Sequence, residues 1–382
     1  MAAGLVFEPE HEQFRQTAAE FVRRSVLPDY EDWERAGRLP RSVFTDAGAQ
    51  GLLAFAVPAE LGGPGTRDFR FNAILAEEIN RAGAASVGVA FAVHTDVTLP
   101  YLTDLTSDEQ RARWLPKAAT GEAVLAIAMT EPGAGSDLTG IATRAVRDGD
   151  EYVVNGAKTF ISNGQNADLV VTVVRTAADP HDGLTLLVVE RDTPGFTRGR
   201  NLDKIGIHAQ DTSELAFTDA RVPAANRLGD EGAGFGYLVR NLPQERLSLA
   251  LGAVAAAESV LAQTIAYVRD RRAFGTSLST FQHIRFTLAE LATEVDIART
   301  YVDDCLRLHL DGELTAARAA QVKWWTTELQ VKVADRCLQL HGGYGYMREY
   351  AVARAFVDAR IQTIYGGTTE IMKTIVAKSL GI

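Results

Sequence analysis

A chain of 382 residues has room for two or three domains, and its 46% hydrophobic and 23% charged residues suffice for a sizeable core. The 39 basic and 49 acidic residues give a net charge of −10 with no long single-sign run. That balance disfavours nucleic acid as the main partner, yet leaves room for a local basic patch facing an anionic cofactor. The two cysteines, Cys305 and Cys337, stand far apart and outside any CxxC spacing. Neither a disulfide framework nor a metal site is expected from them.

In chain order, the opening MAAGLVFEPEHEQ lacks a basic stretch followed by an apolar one, so it does not read as a secretory leader. The first ~120 residues show helical periodicity. Phe14, Ala18, Phe21 and Val22 share one face before a stop at Pro28, and Gly62 to Gly65 mark a loop ahead of a second run through Phe71, Leu75 and Ile79. From about Ala123 the pattern changes to strand. Val124–Met129, Glu151–Val154, Leu169–Val174 and Leu184–Val189 are β-rich, and Asp148-Gly149 and Asn155-Gly156 read as tight turns.

After Gly229 long helices return. The most apolar segment, Leu247–Val268, is interrupted by Glu258 and Gln263 and reads as a buried helix rather than a membrane span. Leu288, Leu291, Val295, Ala298, Val302 and Cys305 form one helical seam; Val322, Trp325, Leu329, Val333 and Cys337 form another. Gly312 between them predicts an antiparallel pair. The fold class expected is α+β: a helical N-terminal domain (1–121), a middle β domain of barrel or sandwich type (122–229) and a C-terminal four-helix bundle (230–382). With no leader, no membrane span and free thiols, a reducing cytoplasm is the expected location.

Three glycine-rich segments stand out. TEPGAGSD, Thr130–Asp137, follows a strand; its composition suits a tight interdomain loop as well as close approach to an anion or flat ring. QLHGGYGY, Gln339–Tyr346, ends a helix, where glycine commonly serves as a cap. IYGGTTEI, Ile364–Ile371, precedes the last helix, with Thr368 a candidate N-cap. No G-x-G-x-x-G occurs and strands do not alternate with helices, which argues against a Rossmann nicotinamide enzyme.

These segments, together with KTFISNG, LPQER, DRRAFG, QLHGGYGYMREY and DARIQTIYGGTTEIM in that order, resemble the acyl-CoA dehydrogenase family over nearly the whole chain, from about Phe7 to Ser379. The chain is most similar to the long-chain type at LPQER and IYGGT. The resemblance implies FAD held between the β domain and the bundle, an acyl-CoA substrate, a homotetramer built from two dimers, and electron-transferring flavoprotein as acceptor. It implies that the flavin lies against Ile127, Met129, Thr130 and Ser136 and against Phe160, Ile161 and Ser162. Many relatives carry Trp at the Phe160 position; Phe keeps the apolar face and loses the indole N–H. Arg271, Phe274, Gln282, Gln339, Leu340, Gly342 and Gly343 would reach the FAD of a neighbouring subunit, whereas Thr368 and Glu370 would hold their own subunit's FAD. Ser136 would also contact the acyl-CoA, with Pro243, Gln244, Arg246 and Gly367.

An α,β-desaturation needs a carboxylate to take the weakly acidic α-proton and donors at the thioester carbonyl, while the β-hydrogen leaves as hydride to flavin N5. Many relatives place the catalytic Glu between Tyr and Gly of the last motif; here that position is Gly366. The long-chain and isovaleryl types resemble this chain in carrying it on a bundle helix, and the matching residue is Glu245. Gly366 would retain a backbone N–H for the carbonyl. From the residues alone, Asn241 as an N-cap and Pro243 just inside a helix would make Glu245 an ordinary first-turn acid. Arg246 fits either a substrate contact or an ion pair with Glu245.

Glu131 belongs to the glycine-rich loop, Glu349 to a helix start, and His94, His208 and His341 lack ligand spacing. Trp324 and Trp325 fall in a packing seam. The run of small residues at Gly252, Ala253, Ala255, Ala256 and Ala257 fits close helix packing more readily than room for an acyl chain. The rivals to the dehydrogenase are an acyl-CoA oxidase and a DNA-associated relative without catalysis. Oxidases are commonly longer, with an extra C-terminal helical domain, which favours the dehydrogenase, and the acidity and retained base weigh against the DNA-associated relative.

Overall fold

A computed structural model describes residues 7–179 and 182–382. Residues 1–6, where the reading against a secretory leader begins, lie outside the described residues. Among the described residues seven α-helices come first: α1 (Pro9–Phe21), α2 (Tyr30–Ala36), α3 (Ser42–Gly48), α4 (Arg70–Arg81), α5 (Ala85–Ala92), α6 (Leu99–Leu105) and α7 (Asp108–Ala119). Ser107 caps α7 reciprocally with Gln110, satisfying N–H groups that the first turn cannot. Between α5 and α6 the chain takes a π-helical path, Val93–Thr98, a widened turn that often accompanies a site.

Eight strands follow: β1 (Leu125–Ala128), β2 (Arg144–Asp148), β3 (Glu151–Ser162), β4 (Leu169–Arg175), β5 (Leu184–Glu190), β6 (Phe196–Asn201), β7 (Thr212–Pro223) and β8 (Arg227–Leu228). They form one sheet in the order β6-β7-β3-β2-β4-β5-β8, with β1 parallel to β4. Strand β4 is apolar without alternation because both faces are covered. Val171 and Val173 pack toward the N-terminal helices, while Val170 and Val174 face the sheet's own interior.

Asp148-Gly149 does turn the chain, with Gly149 at φ +60° between β2 and β3. Asn155-Gly156 does not. Strand β3 runs straight through it, and the register against β7 shifts between Val154 and Gly156. A Cβ on Gly156 would sit 2.6 Å from Thr143 Oγ1, so the glycine serves a close approach at a bulge.

The bundle comprises α8 (Gly234–Asp270), a small hairpin of β9 (Arg272–Ala273) and β10 (Thr276–Ser277), then α9 (Gln282–Leu310), α10 (Ala316–His341), α11 (Ala351–Ala359) and α12 (Thr369–Ser379). Both seams read from the sequence enter its core, with one correction: Trp325 turns outward, and its neighbour Thr326 is buried instead. Phe69 at the head of α4 and Ala73 within it join this core, so the first layer and the bundle share apolar surface. Of the described helices, α8 alone is long and apolar enough to cross a membrane; more than half of that stretch is buried, as in a core helix. Cys305 and Cys337 are buried free thiols.

Candidate active site

Helix α8 begins at Gly234, so Asn241 is not its cap and Pro243 is not in its first turn. Glu245 lies about three turns inside, beyond the reach of the helix N-terminus. The first-turn explanation for this acid therefore fails. Pro243 has no N–H to return to Val239, which loosens the helix just before Glu245.

The Glu245 side chain is 5% exposed. Oε1 accepts from Tyr101 Oη at 3.2 Å and from Asn241 Nδ2 at 3.0 Å. Burial pushes its carboxyl up to about 7, only partly opposed by these two donors and by the Arg246 charge. The π-helical stretch docks on the same face of α8: Asn241 Nδ2 also reaches Val97 O at 3.1 Å, and Gln244 Nε2 reaches Asp96 O at 2.8 Å. Asp96 is itself buried, bonded to Ser248 and Asn72, and pushed up by burial to about 6.

The Gly366-Gly367 turn comes up against this helix face. Both glycines adopt left-handed backbone, φ +65° and +100°, which side chains resist. A Cβ on Gly366 would lie 2.5 Å from Leu249 Cδ1. Leu249 is four residues after Glu245 and shares its face, so the turn packs against the face of α8 that carries Glu245. Arg246 Nε donates to Gly366 O at 3.3 Å and Lys323 Nζ to Gly367 O at 2.8 Å. Thr368 closes the turn as the N-cap of α12, its Oγ1 accepting from Ile371 N at 3.4 Å.

A second group of features suits a flat, partly apolar cofactor. The register of β3 breaks between Lys158 and Ile161, and Phe160 protrudes there at φ +58° with 67% exposure. Backbone in this region costs a non-glycine residue roughly 1–3 kcal/mol. Thr159 N donates to Thr130 O at 2.9 Å, tying this bulge to the glycine-rich loop. Beneath that loop, Glu131 accepts from Ala142 N, Thr143 N and Lys158 Nζ at 2.8–2.9 Å. Burial would raise the Glu131 carboxyl, but Lys158 and these donors hold it below its ordinary value. Glu131 is thus a structural anchor. Gly133 and Gly343 have open space where a Cβ would stand.

Ile127, Met129 and Thr130 are half-buried beside this bulge and Ser136 is exposed, but the Ile161 side chain is buried in the sheet interior and can offer a ligand only its backbone. Arg271, Leu340, Gly342 and Gly343 line a surface cleft of about 470 Å³, where Arg271 lies over the Tyr344 ring at 5.2 Å and His341 stacks on Tyr267 at 4.1 Å. Phe274, 95% exposed, and exposed Gln282 and Gln339 belong to this outer side of the bundle rather than to the Glu245 site. Glu370 is exposed in the first turn of α12. His94 is buried and doubly hydrogen-bonded, to Ala118 O and from Leu125 N. Gly252 approaches α4 closely, 2.9 Å from its β position to Asn80 Nδ2, while Ala256 and Ala257 border a cavity of about 60 Å³.

Sequence reasoning missed Tyr101, the role of Asn241 as a donor to Glu245, and Lys323. Asn241 stands four residues before Glu245, a helical spacing that could have revealed it; Tyr101 and Lys323 carry no local signal.

Three family patterns cover the chain: acyl-CoA dehydrogenase N-terminal domain over residues 8–122, middle domain over 126–220 and C-terminal domain over 232–381. Among curated relatives, the mitochondrial long-chain specific acyl-CoA dehydrogenase of Sus scrofa is 45% identical over 98% of this chain and 87% of its own length. The acyl-CoA dehydrogenase structure from Geobacillus kaustophilus superposes with TM-score 0.97 at 48% identity, covering 100% of both chains. A glutaryl-CoA dehydrogenase from Mycobacterium smegmatis, solved in complex with FADH2, gives TM-score 0.91 at 28% identity over 98% of this chain and 95% of its own.

Proposed function

The chain belongs to the acyl-CoA dehydrogenase family, an FAD-binding family of oxidoreductases, and on that premise we propose that it desaturates an acyl-CoA thioester between Cα and Cβ to the trans-2-enoyl-CoA, with Glu245 as the base. The observation that carries this reading is a buried carboxylate, Glu245, on the same face of α8 against which the Gly366-Gly367 turn packs.

Glu245 takes the α-proton. A carboxylate removed from water is a stronger base than a solvated one, and burial has moved Glu245 toward neutral pH, where a general base works best. Tyr101 and Asn241 keep it oriented and partly ionised. The Gly366 N–H meets the thioester carbonyl as negative charge grows on its oxygen. Arg246 balances the carboxylate and braces the turn. Pro243, Gln244 and Gly367 line the approach, and Ser136 meets the substrate from the glycine-rich loop.

FAD, when bound, accepts the β-hydrogen with its electron pair. The residues suited to hold it are Ile127, Met129, Thr130, Ser136, Phe160, Ser162 and the Ile161 backbone, with Thr368 and Glu370 at the end of the final turn. Arg271, Phe274, Gln282, Gln339, Leu340, Gly342 and Gly343 would serve the FAD of a partner subunit, Arg271 pairing with its pyrophosphate. Exposed apolar side chains on this outer side, Phe274, Phe286 and Ile297, support an assembly of subunits, which we take to be a dimer of dimers. Electron-transferring flavoprotein is the proposed acceptor.

The domain limits we adopt are 1–121, 122–229 and 230–382. Anaerobic titration of the holoprotein with acyl-CoAs of graded length tests the reading. Bleaching of the oxidised flavin by at least one saturated acyl-CoA supports it; an unchanged spectrum across the series refutes it.

A further inference from the structure

Lys323 is fully buried in α10, and among the described residues its ammonium forms no ion pair. The acid that acts on it, Glu328, lies 3.8 Å from Lys373. Among the described residues the Lys323 ammonium makes one hydrogen bond, 2.8 Å long, to Gly367 O. The neighbouring carbonyl, Gly366 O, is held by Arg246. A buried cation without a counter-ion is expensive, and burial together with Arg246 pushes this ammonium down to about 7. An apolar or neutral side chain would join α10 to the turn with less desolvation. What the ammonium adds is a strong, charge-assisted donor at one backbone carbonyl.

The carbonyl it holds belongs to a turn whose freedom needs restraint. Gly366 and Gly367 are consecutive glycines at positive φ, the residue type with the widest choice of backbone conformation. Their carbonyls are occupied, whereas neither of their N–H groups donates within the described residues. Each held carbonyl fixes one peptide plane, and the two planes flank Gly367, so the two holds fix its φ and ψ and orient the Gly367 N–H, which shares a plane with Gly366 O. The Lys323 stem also packs under the turn, with Cε 4.0 Å from the β position of Gly366.

We propose that Lys323 is a positioning residue for the thioester: with Arg246 it locks the Gly366-Gly367 turn so that its free N–H groups face the substrate carbonyl. The residue touches neither base nor acyl chain and acts through the backbone it holds. This assignment rests on the acyl-CoA reading of the site, and the experiment separates the two.

The test uses the FAD-loaded protein and its K323M and K323R variants, with acetoacetyl-CoA as a probe that cannot turn over. Its α-carbon ionises when its carbonyl is well held, and the enolate beside oxidised flavin gives a long-wavelength absorbance that can be titrated. In K323M the apparent pKa of the bound probe rises by about one unit, equivalent to a tenfold loss of enolate stabilisation. Its kcat falls about tenfold or more with KM little changed, FAD content is retained, and K323R recovers most of both losses. If K323M fails to fold, K323L, which likewise lacks a donor, is measured in the same way.

Parent-like ionisation in a flavin-loaded K323M or K323L overturns the proposal. So does a loss of FAD and thermal stability that parallels the loss of rate in every variant, which marks a mere staple. Failure of the unsubstituted holoprotein to ionise the probe would instead strike the acyl-CoA reading itself.

Discussion

Tyr101 on α6 donates a 3.2 Å hydrogen bond to Glu245 Oε1 on α8, joining residues 144 positions apart in a buried contact. A donor to a carboxylate favours its ionised form. With Glu245 pushed up to about 7, kcat/KM should rise with pH and level off above about 7, because only the ionised carboxylate accepts a proton. Tyr101→Phe removes one donor. A hydrogen bond to a charged group contributes roughly 1.5–3 kcal/mol, so the inflection should move up by about one to two pH units. A pH–rate profile of both proteins checks this; an inflection that stays in place or moves down contradicts it.

Gly366→Ala should cost stability as well as rate. The substitution places a methyl group 2.5 Å from Leu249 Cδ1 on backbone at φ +65°. The left-handed conformation alone costs roughly 1–2 kcal/mol for a non-glycine residue. Thermal unfolding should show a drop of that size, and kcat should fall more than KM rises, since the turn meets the developing charge. The same geometry shows why a longer side chain at 366 is poorly accommodated here.

Phe160→Gly should separate stability from binding. Phe160 holds φ +58° while presenting its ring to the outside. Strain of this kind is worth roughly 1–3 kcal/mol, and glycine relieves it at an entropic cost of about 0.5–1 kcal/mol. The FAD-free variant should therefore unfold at the same temperature or higher, while its FAD dissociation constant rises several-fold. Calorimetric titration with FAD checks the second part; unchanged affinity would show that the ring does not contact the cofactor.

Much of the architecture was legible because the local signals agree with the packing. The seam through Leu291, Val295 and Val302 is buried as its spacing predicts, and Thr368 caps the last helix. The failures share one cause: a local signal was overruled by pairing at a distance. Asn155-Gly156 has turn chemistry, but β7 continues alongside and absorbs the glycine as a bulge. Asn241 and Pro243 look like a helix start, yet α8 already runs from Gly234, and tertiary contacts from Val97 and Asp96 steady the stretch around the proline. Trp325 matches the seam's spacing but lies on its rim. Glu245 was found by motif resemblance; its partner Tyr101, and Lys323 beneath the glycine turn, were out of reach because nothing local marks contacts made between distant parts of the chain.

The stability consequence of Glu245 has a definite sign. Its carboxyl moves from 4.5 to about 7 on folding, so the folded state binds the proton more tightly and loses stability as pH rises between those values. Glu245→Gln keeps the shape and an acceptor for Asn241 without the ionisable group. At pH 8 this variant should be at least as stable as its parent, so lost activity cannot be blamed on unfolding.

The most direct measurement is therefore anaerobic mixing of FAD-loaded Glu245→Gln with an acyl-CoA that bleaches the parent flavin. Flavin content and acyl-CoA binding should be retained, and the rate of flavin reduction should fall by about 10²–10⁴-fold or more, the span associated with a general base. Reduction at the parental rate would place the base elsewhere and contradict the mechanism.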